Sequence, residues 1–95
     1  MSTLTIYIDD HTSVQVPITQ ALCCSTLDLV EMERRYGDEA YDLAPGDLYH
    51  ELWLQQRTLI QDYVRSVLDL PHWQFDDHND YLDLDWDLRQ HLGVA

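Results

Sequence analysis

Leu82-Asp83-Leu84-Asp85-Trp86-Asp87 is the segment whose conformation decides the fold of this chain. As a strand, its strict alternation puts Leu82, Leu84 and Trp86 into a core and lines Asp83, Asp85 and Asp87 along the opposite face. It closes a longer stretch, Asp76 to Asp87, that holds six aspartates and no lysine or arginine. Like charges in a row on a rigid element repel one another, so the arrangement points outward, to a cationic partner. The same residues also carry a helical signal: Leu84, Leu88 and Leu92 fall at i, i+4, and Gly93 stands where a helix would stop. A strand to about Trp86 followed by a turn of helix accommodates both patterns.

Immediately upstream, Trp73 and Phe75 alternate with His72, Gln74 and Asp76, and Asp77-His78-Asn79-Asp80 is rich in turn formers. Residues 72–76 and 81–87 are therefore expected to pair as a hairpin. Before them, Asp47 is a good N-cap, and Leu48, Leu52, Leu59, Tyr63 and Val67 recur at helical spacing, widened by Ile60 and Val64. Pro71 ends that helix at Leu70. Trp53 and Arg57 share a different side of it, as an exposed patch or packed under a loop.

Toward the N-terminus, Leu4, Ile6 and Ile8 alternate, Asp9-Asp10-His11-Thr12 turns, and Val14, Val16 and Ile18 resume the alternation. That is a hairpin over residues 3–18, with Pro17 at a strand end or edge. Ser25 with Asp28 resembles a capping box before Leu27, Val30 and Met32, although the helix has two candidate starts, Thr19 and Thr26. Gly37 stands at its C-terminal glycine position. Asp38 to Gly46 is an acidic connector. The expected order is ββααββ: an α+β fold, with a small antiparallel sheet of two hairpins packed against two helices, in a single domain over residues 1–95.

Composition bounds the function. The chain has 18 acidic side chains against five arginines and no lysine, a formal charge of −13 on 95 residues. That charge steers cationic partners and disfavours direct binding to nucleic acid or an anionic membrane. With 45% hydrophobic residues, three Trp and six Tyr, the chain has enough apolar surface to fold. No signal peptide or membrane-length apolar run is evident, and adjacent Cys23 and Cys24 bridge poorly. A cytoplasmic protein with free thiols is expected, the two cysteines lying either in the core or at a homodimer interface.

No phosphate loop, zinc-protease helix motif or nucleophile elbow is present, so a non-enzymatic protein without a cofactor is expected. Asp83, Asp85 and Asp87 match the first three positions of an EF-hand loop. Leu88 and Val94 then stand where its glycine and glutamate belong, which argues against a metal site.

Small size, acidity and ordered carboxylates together resemble the DNA-mimic inhibitors of phages and mobile elements, the class of anti-CRISPR and anti-restriction proteins. The residues that carry the resemblance are Asp76, Asp77, Asp80, Asp83, Asp85 and Asp87, with Asp38, Glu39 and Asp42 as a second cluster. The resemblance implies stoichiometric occupation of the basic nucleic-acid-binding site of a defence complex. Tyr41, Tyr49 and Trp53 are the candidate anchors. An immunity protein or antitoxin for a basic nuclease would need the same charge, and an acidic adaptor subunit would bind through an apolar helix face instead.

Overall fold

The segment that alternates so strictly is a helix. The computed structural model describes residues 2–37, 47–75 and 79–94. Within them the order is β1 (Thr3–Tyr7), β2 (Ser13–Pro17), α1 (Gln20–Tyr36), α2 (Leu48–Leu68) and α3 (Tyr81–His91), that is, ββααα rather than ββααββ. The fold is α+β, but the second hairpin is absent: residues 81–87 coil into α3.

Asp80 starts that helix. Its extended backbone and a carboxylate that accepts from the amides of Leu82 (3.0 Å) and Asp83 (3.4 Å) cap two orphan donors. Asp83 in the first turn and Arg89 and His91 in the last complement the helix dipole. The face that packs is Tyr81, Leu84, Asp85 and Leu88, a period near 3.6 that the period of two concealed. Leu82 and Trp86, expected in the core, are instead 68% and 53% exposed. Asp83, Asp85 and Asp87 therefore do not share a face, because Asp85 turns inward.

The first hairpin forms as expected. Leu4 pairs with Val16 and Ile6 with Val14, and these four side chains form its buried face. Ile18 N–H donates to Ser2 O (3.1 Å) and Ile8 N–H to Thr12 O (2.9 Å), which fixes the even-numbered β1 residues as the hydrogen-bonded rungs. Pro17 pairs with Thr3 at a rung that exchanges no hydrogen bond, so its missing N–H removes nothing from the ladder.

Thr19 begins α1, its hydroxyl accepting from Leu22 N–H, which decides between the two candidate starts. Ser25, expected as a cap, is buried inside the helix, and Leu27 faces solvent. Gly37 ends α1 with φ +64°, a conformation that favours glycine, and its N–H reaches Glu33 O.

Helix α2 buries part of the expected stripe: Ile60 and Val64 are in the core and Leu52 and Leu59 pack against it, but Leu48, Tyr63 and Val67 are exposed, and Tyr49, Gln56 and Gln61 are buried in their stead. It stops at Leu68, with Asp69 left-handed at φ 55°, two residues short of the end expected from Pro71. The side chain of Asp47, its N-cap, makes no capping hydrogen bond. Both glutamines on the buried stripe misled the apolar count.

The core has two parts. The hairpin face, Leu22, Ile60, Val64, Leu84 and Leu88 form one, with Trp73, Phe75 and Tyr81 packed around it. Leu29, Met32 and Tyr49 form the other, with Trp53 at its side. Each fully buried aliphatic side chain contributes roughly 1.5–3 kcal/mol. No helix among the described residues is long and apolar enough to cross a membrane.

Candidate interaction surface on the third helix

Helix α3 presents two chemically opposite sides. Inward, Asp85 enters a polar network at the junction of the three helices. Gln56, fully buried, donates through Nε2 to Asp85 Oδ1 (2.9 Å) and to Thr26 Oγ1 (2.8 Å), and its Oε1 accepts from Tyr81 O–H (2.6 Å). The Thr26 hydroxyl in turn donates to Leu22 O at 3.0 Å. Every polar atom of the Gln56 amide thus has a partner, which burial demands.

Arg89 joins this network to a second carboxylate. Its Nε lies 2.8 Å from Asp85 Oδ2, an ion-pair contact set off the hydrogen-bond direction. Its terminal nitrogens clamp Glu33, one to Oε2 and the other to Oε1 at 3.2 Å. Tyr49 O–H donates to the same Oε1 at 2.5 Å, and the guanidinium stacks 5.8 Å from the Trp53 ring centre.

Burial pulls Glu33 upward, but its hydrogen bonds from Arg89 and Tyr49 outweigh that and hold it below the usual carboxylate range. For Asp85 burial wins, and its carboxyl is raised despite Gln56 and Arg89. Burial and the bond to Glu33 push the Tyr49 phenol up to about 12. Burial opposes the charge on Arg89, yet two carboxylates still raise its pKa.

Outward, the alternation resolves into two adjacent rows, each with i, i+4 spacing: Leu82 with Trp86, and Asp83 with Asp87. The acidic row, extended by Asp80, walls a groove of about 540 Å³ whose other wall is β1, with Thr3, Thr5 and Tyr7. Asp80, Asp83 and Asp87 form no ion pair among the described residues. No family model, curated protein or solved structure matches the chain.

The arginines explain why the acidic row stays unopposed. Arg34 and Arg35 reach Glu31 at 3.3 and 3.9 Å; Arg65 pairs with Asp62 and donates to Trp73 O. Arg57 lies 5.6 Å over the ring of Phe75, between α2 and α3, rather than forming an exposed patch with Trp53. Arg89 is consumed by the interior network. Arg57, Arg65 and Arg89 are thus held within the fold, Arg34 and Arg35 stay largely exposed beside Glu31, and none of the five pairs with the acidic row.

Of the residues expected at the surface site, Asp80, Asp83 and Asp87 come together along one groove. Asp85 does not, being a structural carboxylate. Trp53 is half-buried against Tyr49, Tyr81 and Arg89, and Tyr49 is buried, so neither is the exposed anchor expected of it. Asp38, Glu39, Tyr41, Asp42, Asp76 and Asp77 lie outside the described residues. Sequence reasoning missed Leu82 and Trp86 as exposed apolar neighbours of the acids, and missed Thr3 and Thr5 as the facing wall. The Leu84, Leu88 and Leu92 series was the available signal, had the helix been extended back to Tyr81 instead of beginning after Trp86. No group of His, Cys, Asp and Glu among the described residues is arranged to hold a metal ion.

Proposed function

We propose that this protein is a non-enzymatic acidic inhibitor that binds a basic nucleic-acid-binding protein, of the kind found in restriction or CRISPR defence complexes, and excludes its nucleic acid. The supporting observation is that each of the five arginines makes its contact elsewhere in the fold, which leaves Asp80, Asp83 and Asp87 as an anionic row with no ion-pair partner among the described residues. Asp83 and Asp87 are about 6 Å apart along the helix axis, one helical turn. A repeat on that scale presents separate charges to separate basic side chains, as phosphates do.

Charge alone sets encounter rate and salt dependence; specificity needs desolvated contacts. Leu82 and Trp86, exposed beside the acids, supply them. Trp86 takes the anchoring part expected of Trp53, since tryptophan is enriched among residues that dominate binding energy.

The test is a mobility-shift assay in which the protein competes with labelled DNA or RNA for restriction and CRISPR effector complexes. Competition should weaken steeply between low and high ionic strength. It should weaken again when Asp83 and Asp87 are both changed to Asn. Inhibition indifferent to salt and to those substitutions would remove charge mimicry as the mechanism.

A further inference from the structure

The outer edge of β1 faces the acidic groove with backbone groups unused. Because the even-numbered residues of β1 bond to β2, the N–H and C=O groups of Thr3, Thr5 and Tyr7 point the other way. Those of Tyr7 are taken by one side chain: Asn79 Oδ1 accepts from Tyr7 N–H at 2.8 Å, and its Nδ2 donates to Tyr7 O at 2.7 Å. This two-point contact is what a residue of a neighbouring strand would make. At Thr3 and Thr5 the outward N–H and C=O groups make no hydrogen bond among the described residues. They open onto the groove whose far wall carries Asp83 and Asp87.

We propose that this edge takes an extended basic segment of the partner as an added strand, paired with Thr3 and Thr5, its cationic side chains reaching Asp83 and Asp87. The proposal rests on the inhibitor function above and specifies how the partner is held. Charge complementarity selects the occupant: the wall is acidic and the whole chain carries −13, which opposes edge-to-edge pairing of two copies. Spacing agrees. Same-face residues of a strand recur about every 6.5–7 Å, close to the roughly 6 Å rise between Asp83 and Asp87. Backbone pairing would give affinity, and the carboxylates would choose basic side chains, as in strand-addition recognition generally.

The probe is a capped hexapeptide of alternating arginine and valine, titrated at low salt into the full chain labelled with nitrogen-15. Amides of Thr3 and Thr5 should shift and gain protection from exchange, with Tyr7 little changed. Two further peptides carry N-methyl groups on alternate residues, in opposite phases. One phase should lose about tenfold or more in affinity, because it removes the donors facing β1, and the other should bind as the parent does. The Asp83→Asn/Asp87→Asn variant should weaken the unmodified peptide as well, with its hairpin resonances unchanged.

Equal binding by both methylated peptides would overturn the proposal in favour of charge attraction alone. So would protection of Thr3 and Thr5 that appears without peptide and grows with protein concentration, since a second copy would then be the occupant. Failure of the peptide with retained inhibition of nucleic-acid binding removes only the added strand. Strand pairing of the peptide without inhibition of any nucleic-acid-binding complex removes the inhibitor function and leaves a basic-peptide site.

Discussion

Asp85 and its neighbours Asp83 and Asp87 are the same residue on the same helix, two positions apart, yet they work in opposite environments. Asp85 is 6% exposed, held by Gln56 and Arg89, and burial raises its pKa. Asp83 and Asp87 face an open groove without an ion-pair partner among the described residues. One hundred degrees per residue separates a carboxylate that positions the helix from one that is free to meet a ligand. Charge counts cannot distinguish the two, whereas partner geometry does.

The comparison breaks most readily at Arg89. Changing it to Met removes the cation from Asp85 and Glu33, leaving them only the hydrogen bonds from Gln56 and Tyr49, and should reduce stability by about 3 kcal/mol, the low end for a buried pair because Glu33 keeps some solvent contact. Urea unfolding measures it; a loss below about 1 kcal/mol would mean that the network does not hold α3 in place. Asp80 comes next. Asp80→Ala should lose about 1 kcal/mol with the cap, while Asp80→Asn, still a good N-cap, should lose little and still remove a groove charge.

A subtler test uses pH. Glu33 is depressed in the fold, so its contribution is present above its ordinary value of 4.5 and is lost as pH falls through its folded pKa. The stability gap between the parent and Glu33→Gln should therefore close on acidification. Asp85 has the opposite sign: its contribution is fully present below its ordinary 3.8 and lost as pH rises through its folded pKa. The penalty for Asp85→Asn should accordingly be smaller at pH 7 than at pH 3. Parallel trends in the two variants would contradict the assignment of their environments.

The smallest effect belongs to the outer row. The double change Asp83→Asn/Asp87→Asn should alter stability by no more than about 0.5 kcal/mol while flattening the salt dependence of partner binding. Equal loss of stability from inner and outer substitutions would erase the distinction.

The first hairpin was legible because its period of two and its turn are local, and its buried face agrees with both. Helix α1 was legible at Gly37, where backbone conformation requires glycine, but its start was not: Thr19 and Thr26 both look like caps, and only packing decides that Ser25 and Thr26 go inside. Helix α3 defeated the alternation because leucines two apart serve a strand face equally well on paper. Asp80 as cap and Arg89 four residues after Asp85 were the discriminating marks. Gln56 was unreadable, since a glutamine on a helix becomes a core residue only when Thr26, Tyr81 and Asp85 arrive from elsewhere in the chain.

The Asn79 clasp on Tyr7 joins positions 72 residues apart. During synthesis, β1 and β2 emerge early, yet this rung of the β1 edge stays uncapped until residue 79 has left the ribosome. The apolar face of Leu4, Ile6, Val14 and Val16 must wait for Ile60, Val64, Leu84 and Leu88 in the same way. Contacts so distant in sequence close late and slow the final step. Until α2 and α3 arrive, the apolar face of the hairpin has nothing to pack against and is exposed to wrong partners.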